Sequence, residues 1–240
     1  SSPAQSNNTT LQLVVNSAGG GITWYVNGVN GSDSNGGSSW SDAFATIGKA
    51  LGEAADGDTI LVADATYNET DLNFNGKKIY LKGVDHNTAG AQPVIDCQQA
   101  GRAFYFGSGE TKDSVIDNFT IQNGTADDGG AIYCDSSSPM ISDCEFSGNS
   151  AGSGGAICCE NSSSPTITNC TFSGNSASDD GGAIFCQNSS SPILNNSILW
   201  GNSASTSGNE IYIEDSGSSC ALNYCCVDNT GYGGETSNIT

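Results

Sequence analysis

Residues 129–151 read GGAIYCDSSSPMISDCEFSGNSA, residues 154–177 read GGAICCENSSSPTITNCTFSGNSA, and residues 181–204 read GGAIFCQNSSSPILNNSILWGNSA. Pro139, Pro165 and Pro192 mark one point in the three copies. A repeat of roughly 26 residues falls in the range of solenoids and arrays. Each copy holds short apolar runs split by Gly, Ser and Asn clusters, too short for helices and bounded like strands. One copy has about the length of one turn of a parallel β-helix. The expectation is an all-β chain: a right-handed parallel β-helix whose coils stack like residues on like.

Alignment of the copies gives the expected ladders. Ile132, Ile157 and Ile184 form one inward stack, topped by Phe104, and Phe146 and Phe172 form another, continued by Ile121, Leu199 and Val227. Asn118, Asp143, Asn169 and Asn196 share one turn, and Asn149, Asn175 and Asn202 the next, where stacked amides can hydrogen-bond along the axis. Cys134, Cys159 and Cys186 share a position. Cys144, Cys170 and Cys225 share another, held by Phe119 and Ser197 in other coils, which marks it as core-facing. Cys158 has the opposite parity and is expected to point outward. Three readings of the cysteines stay open: thiols packed as small hydrophobes, disulfides between coils, and metal ligation, for which no CxxC pair and no histidine besides His86 are present.

The repeat decays toward the N-terminus. Residues 103–106 match 131–134, and residues 116–121 match 167–172. Strands are expected at 22–27, 59–63, 72–74, 78–81 and 94–97, and after the clean copies at 211–213 and 222–227. One helix is expected over 46–55, capped by Thr46, carrying the stripe Phe44, Ile47, Leu51 and Ala54, and ended by Gly57. A short helix ahead of a solenoid acts as an end cap. The expected organisation is an N-terminal arm (1–21), then one β-helix domain (22–240), with clean repeats at 129–204 and an irregular last coil at 205–240. The tail after Val227 has no apolar pattern, so that coil is expected to lack a cap. In the arm, Leu11, Leu13 and Val15 alternate with period two, a strand suited to its own domain or to donation to a neighbouring subunit.

The 240 residues carry a net charge of −20 with six Lys plus Arg. This argues against nucleic acid, whose phosphates need cations. No run of about 18 apolar residues exists, so no transmembrane segment is expected. The opening SSPAQSNNTT reads as a mature end, and ten cysteines with few lysines fit an extracellular or cell-surface setting. Asn30, Asn68, Asn123, Asn161 and Asn188 head glycosylation triplets. The acidic turns Asp127-Asp128 and Asp179-Asp180 precede GGA in two coils. They are solvated charges or a calcium site, and calcium is the one cofactor the chain suggests.

The segment WYVNGVNGSDSNGGSSWSDAFATIGKALGEAADGDTILVADATYNET (24–70) resembles the N-terminal signature of the pectate-lyase-like superfamily of right-handed β-helix proteins. There, a "YV…G.D" strand leads to a capping helix and then to "GDTI.V..GTY". The repeats resemble those of bacterial surface and polymorphic outer-membrane-type proteins. Together these resemblances cover residues 22–227 and imply the β-helix fold, which carries lyases, hydrolases, adhesins and inert stalks alike. Lyases of that superfamily use aspartate-held calcium with an Arg or Lys base on the solenoid's outer face. By that resemblance the candidate base is Arg102, expected near Asp96 and Asp117. The regular repeats contain no Arg, Lys or His. The leading expectation is therefore a secreted, non-catalytic structural or surface protein that assembles with itself into an extracellular filament by N-terminal strand donation and end-to-end contact. A calcium-dependent polysaccharide lyase or a glycan-binding adhesion module is the alternative, and whether the chain is an enzyme stays open.

Overall fold

A computed structural model describes residues 20–228, 231–234 and 236–240. Each repeat makes one coil of a parallel β-helix. Its strands stack into four sheets, here A to D, of eight, seven, six and four strands among the described residues. A coil runs from sheet A (Met140–Ser142) to sheet B (Glu145–Ser147), sheet D (Ser150–Ser153) and sheet C (Ile157–Glu160), then back to sheet A (Thr166–Thr168).

The turn from A to B is one residue in the left-handed region: Asn118, Asp143, Asn169 and Asn196 have φ of 67°, 53°, 55° and 49°. Asn and Asp tolerate that region better than other non-glycine residues. Tyr224 holds the same place in the last coil at φ 56°. It splits the strand expected over 222–227 into Ala221–Asn223 and Cys226–Val227.

The registers follow the sequence alignment. Ile132 pairs with Phe104 and Ile157, and Ile157 with Ile184. Phe146 pairs with Ile121 and Phe172, their rings stacked 4.6 Å apart. These side chains are wholly buried. Cys134, Cys159 and Cys186 are in register and buried, and Cys144 and Cys170 are buried on the other inner wall, with Cys225 partly covered. All ten cysteines are free thiols. Burial, helped by the neighbouring Cys170 thiol, holds the Cys144 pKa well above that of a free cysteine. Cys158 does not reach solvent, contrary to expectation. It lies on the outer parity but is covered, because a small thiol sits in register between the Tyr133 and Phe185 rings.

Two polar ladders run inside the wall. The Asn149 amide donates to Asn175 Oδ1 (2.9 Å) and to the Ile121 carbonyl (3.0 Å); Asn175 donates likewise to Asn202 (2.8 Å) and to Phe146 (3.0 Å). Glu210, buried, ends this ladder by accepting from the Asn202 amide at 2.5 Å. The second ladder is serine: the backbone N–H groups of Ser137, Ser163 and Ser190 each donate to the hydroxyl one coil on, at Ser163, Ser190 and Ser218, all at 3.1 Å. Glu110 ends it at the other side, accepting from the Ser137 hydroxyl at 3.0 Å. The ladders satisfy groups whose burial unpaired would cost about 1–3 kcal/mol each.

The capping helix spans Ile47–Glu53, with the Thr46 hydroxyl accepting from Lys49 N at 3.2 Å. Its stripe of Phe44, Ile47, Leu51 and Ala54 is buried over the first coil. Residues 72–74 form no strand; Leu72 makes a single bridge to Phe104. At the far end, the tail does cover the last coil in part. Tyr232–Gly234 adds a strand beside Ile211–Ile213, and Ile239 bridges Cys220 and packs against the core. Two such residues, Tyr232 and Ile239, in a Gly- and polar-rich tail gave no periodic signal. Leu11, Leu13 and Val15 lie outside the described residues.

Candidate functional site

Because side chains alternate along a strand, the sheet C strands that bury the residues on either side turn their middle residue to the outer parity. These middle residues are Tyr105, Tyr133, Cys158, Phe185 and Tyr212, in register one per coil. Tyr105 and Tyr133 stack with centroids 5.8 Å apart, and Phe185 and Tyr212 at 5.6 Å. Beside them, Asp135 and Glu160 form a second outward row. The Tyr133 hydroxyl donates to a Glu160 carboxylate oxygen, and the Asn188 amide donates to the other at 3.1 Å. Burial, then the Glu160 carboxylate, push the Tyr133 phenol well above the usual tyrosine range.

Arg102, the single arginine of the chain, closes this row. Its guanidinium lies 4.8 Å from the Tyr133 ring centroid and 6.0 Å from that of Tyr105. Among the described residues it makes no ion pair within 4 Å. It lines an open cleft of about 490 Å³ with Asp71, Gly101, Thr125, Ala126 and Asp127. Asp128 stands on the adjoining sheet D strand, paired with Ser153. Burial, and then the Glu160 charge, raise its carboxyl above the usual aspartate range, against the pull of Arg102.

The expected surroundings of Arg102 need correction. Asp117 is taken by another network: Lys82 Nζ at 2.8 Å, the Tyr80 hydroxyl at 2.5 Å and the Ser142 hydroxyl at 3.2 Å. Asp96 accepts from Gln122 and Asn123 at 3.0 Å each. Both belong to sheets A and B, whereas Arg102 enters sheet C, so sequence nearness by coil did not translate into nearness by face. The residues missed by sequence reading are Tyr105, Tyr133 and Glu160. Their signal was present: four aromatics, Tyr105, Tyr133, Phe185 and Tyr212, at one outward position of the aligned coils.

The pairs Asp127-Asp128 and Asp179-Asp180 sit two coils apart, with Gly152 and Ser153 on the coil between them. One buried Asp180 oxygen has no hydrogen-bond partner, and burial with the Asp179 charge raises its pKa. Among the described residues no three metal-ligating side chains converge. Calcium would thus have to draw on one acid pair plus backbone and water oxygens. Of the glycosylation triplets, Asn30, Asn68, Asn161 and Asn188 are exposed, while Asn123 is half-buried with its amide on Asp96. No described helix is long and apolar enough to cross a membrane.

The search of curated proteins found no match. Among solved structures, a rhamnogalacturonan lyase is similar with a TM-score of 0.54 at 16% identity, covering 89% of this chain and 62% of that one. The chain thus spans less than two thirds of that enzyme's length. A pectate lyase, Pel9A, aligns with a TM-score of 0.31 at 14% identity over 90% of this chain and 79% of that one. The family model described as right handed beta helix region matches residues 63–203 and, overlapping, 106–238. On the parallel coils and that match, the chain belongs to the right-handed beta helix family.

Proposed function

We propose that the outer face of sheet C binds an extended, hydroxyl-rich glycan in an extracellular setting. The observation that carries this reading is Arg102, which lines the open cleft, makes no ion pair among the described residues and lies over the neighbouring Tyr133 ring. Tyrosine faces at successive coils offer apolar platforms for sugar rings. Arg102 donates to ring substituents, and Asp71, Asp127, Asp128 and Glu160 accept from hydroxyls. Asp71 and Asp127 line the cleft with the single cation Arg102, and Asp128 and Glu160 stand near it, so the site is net acidic and a neutral glycan is favoured over a polyuronate.

The test is affinity electrophoresis against neutral galactans, glucans and xylans and against polygalacturonate. Retardation by a neutral glycan, weakened about tenfold in Kd by Arg102→Ala, is expected. Retardation by none of them overturns the reading.

The likeness to a rhamnogalacturonan lyase supports a second reading, cleavage of an acidic glycan, with Arg102 the cationic side chain lining the cleft that would hold a uronate carboxylate. Unsaturated product from rhamnogalacturonan, lost in Arg102→Ala, would establish it.

The two readings predict opposite pH dependence. A carboxylate accepts from a sugar hydroxyl, so ionising Asp128 strengthens neutral binding, and affinity rises as pH climbs through its raised pKa. An acidic ligand would bind more weakly over the same climb. Calorimetry from about pH 4 to about pH 7 reads the sign, and Asp128→Asn should flatten the curve.

Filament assembly through Leu11, Leu13 and Val15 is a separate proposal, supported by the period-two sequence alternation of those residues alone. Electron microscopy with and without residues 1–20 tests it, and monodisperse particles in both cases would remove it.

A further inference from the structure

Six large apolar side chains are exposed among the described residues, and four of them, Ile193, Ile198, Trp200 and Tyr224, belong to the last coils. Ile193 lies on sheet A, Ile198 and Trp200 on sheet B, and Tyr224 at the turn between those sheets one coil on. The exposed Cys226 pairs in register with Ile198. On sheet B the same outward positions of the two preceding coils are polar: Ile198 stacks on Thr171 and then Glu145, and Trp200 on Ser173 and then Ser147. On sheet A, Ile193 stacks on Thr166 and then on Met140, which is half-buried, so the exposed apolar surface is concentrated in the last coils.

Charge narrows what can cover it. The chain carries −20, so two copies repel over most of their surface. The outward positions of this region, Ile193, Asn195, Ile198, Trp200, Ala221, Asn223 and Cys226, carry no charge, with Asp228 at the rim. A basic partner would find more attraction elsewhere on the molecule. A second copy finds here the one kind of surface on which apolar burial is not opposed by its own charge.

We propose that two copies of this chain dock through this face, about a two-fold axis that brings Trp200 and Cys226 of each to the other. The same patch on both partners makes an isologous, closed contact and gives a dimer instead of an open filament. Trp200 is the anchor, since large aromatics at the centre of an interface carry most of the binding energy.

Sedimentation equilibrium over a concentration series, with maleimide labelling of Cys226 at each concentration, tests it. The expected result is a monomer–dimer equilibrium in which labelling of Cys226 slows as the dimer fills. Trp200→Glu and Ile198→Glu should each weaken association at least about tenfold, and deletion of residues 1–19 should leave it unchanged. A monomer at all concentrations overturns the proposal. So does association that survives both charge variants, or that is lost with residues 1–19, which would make the arm the occupant. Glycan binding by Trp200→Glu should match the unaltered chain, so a failed dimer and a failed groove are told apart.

Discussion

Asn175→Ala should destabilise the protein by roughly 3–5 kcal/mol, as three buried groups lose partners at about 1–3 kcal/mol each. Asn175 is 1% exposed. Its amide donates to the Phe146 carbonyl and to Asn202, while its Oδ1 accepts from the Asn149 backbone (3.1 Å) and side chain (2.9 Å). Alanine leaves the Phe146 carbonyl and both Asn149 donors facing protein instead of water. For a chain of this size the melting temperature should fall by about 10 °C or more. The ladder account requires the effect to be asymmetric along the coil. Ser173→Ala, two residues earlier and outward, should stay within about 0.5 kcal/mol. Chemical denaturation of the two variants side by side measures this, and equal, small losses would mean the stacked amides contribute little.

Tyr133→Ala should weaken glycan binding by about tenfold or more, or about 1.4 kcal/mol. The ring stands on the outer face of sheet C beside the cleft, and its face holds the Arg102 guanidinium at 4.8 Å. A cation over an aromatic face is worth about 0.5–2 kcal/mol, depending on how far it is desolvated. Removing the ring both deletes a surface and frees the cation. Tyr133→Phe keeps the ring and loses the hydrogen bond to Glu160, so its loss should be a fraction of the alanine effect. Calorimetric titration of a neutral oligosaccharide into both variants separates the two contributions. Equal losses would place the energy in the Glu160 contact and not in stacking.

The coils were legible because stacking forces one residue to answer for its neighbours. An Ile at 132, 157 and 184 and an Asn at 149, 175 and 202 announce both the register and the face. The serine ladder was hidden by its composition, since Ser137, Ser163 and Ser190 sit in SSSP stretches that read as exposed turn. Glu110 and Glu210 were equally silent. Each ends a ladder where the repeat breaks off, so no aligned copy exists to reveal it. The candidate site failed to show for a different reason. Arg102 lies between matched coils in sequence, and only the four-sided cross-section turns it toward Tyr133 and away from Asp117.

The central claim, that the outer face of sheet C is the glycan surface, is tested most directly by a crystal structure with a bound neutral oligosaccharide. The account predicts sugar rings lying along the Tyr105–Tyr133 row, with Arg102 donating to a ring substituent at about 2.7–3.2 Å and Glu160 or Asp128 accepting from a hydroxyl. An oligosaccharide seated on sheet A or sheet B, with the Arg102 cleft empty, would contradict it.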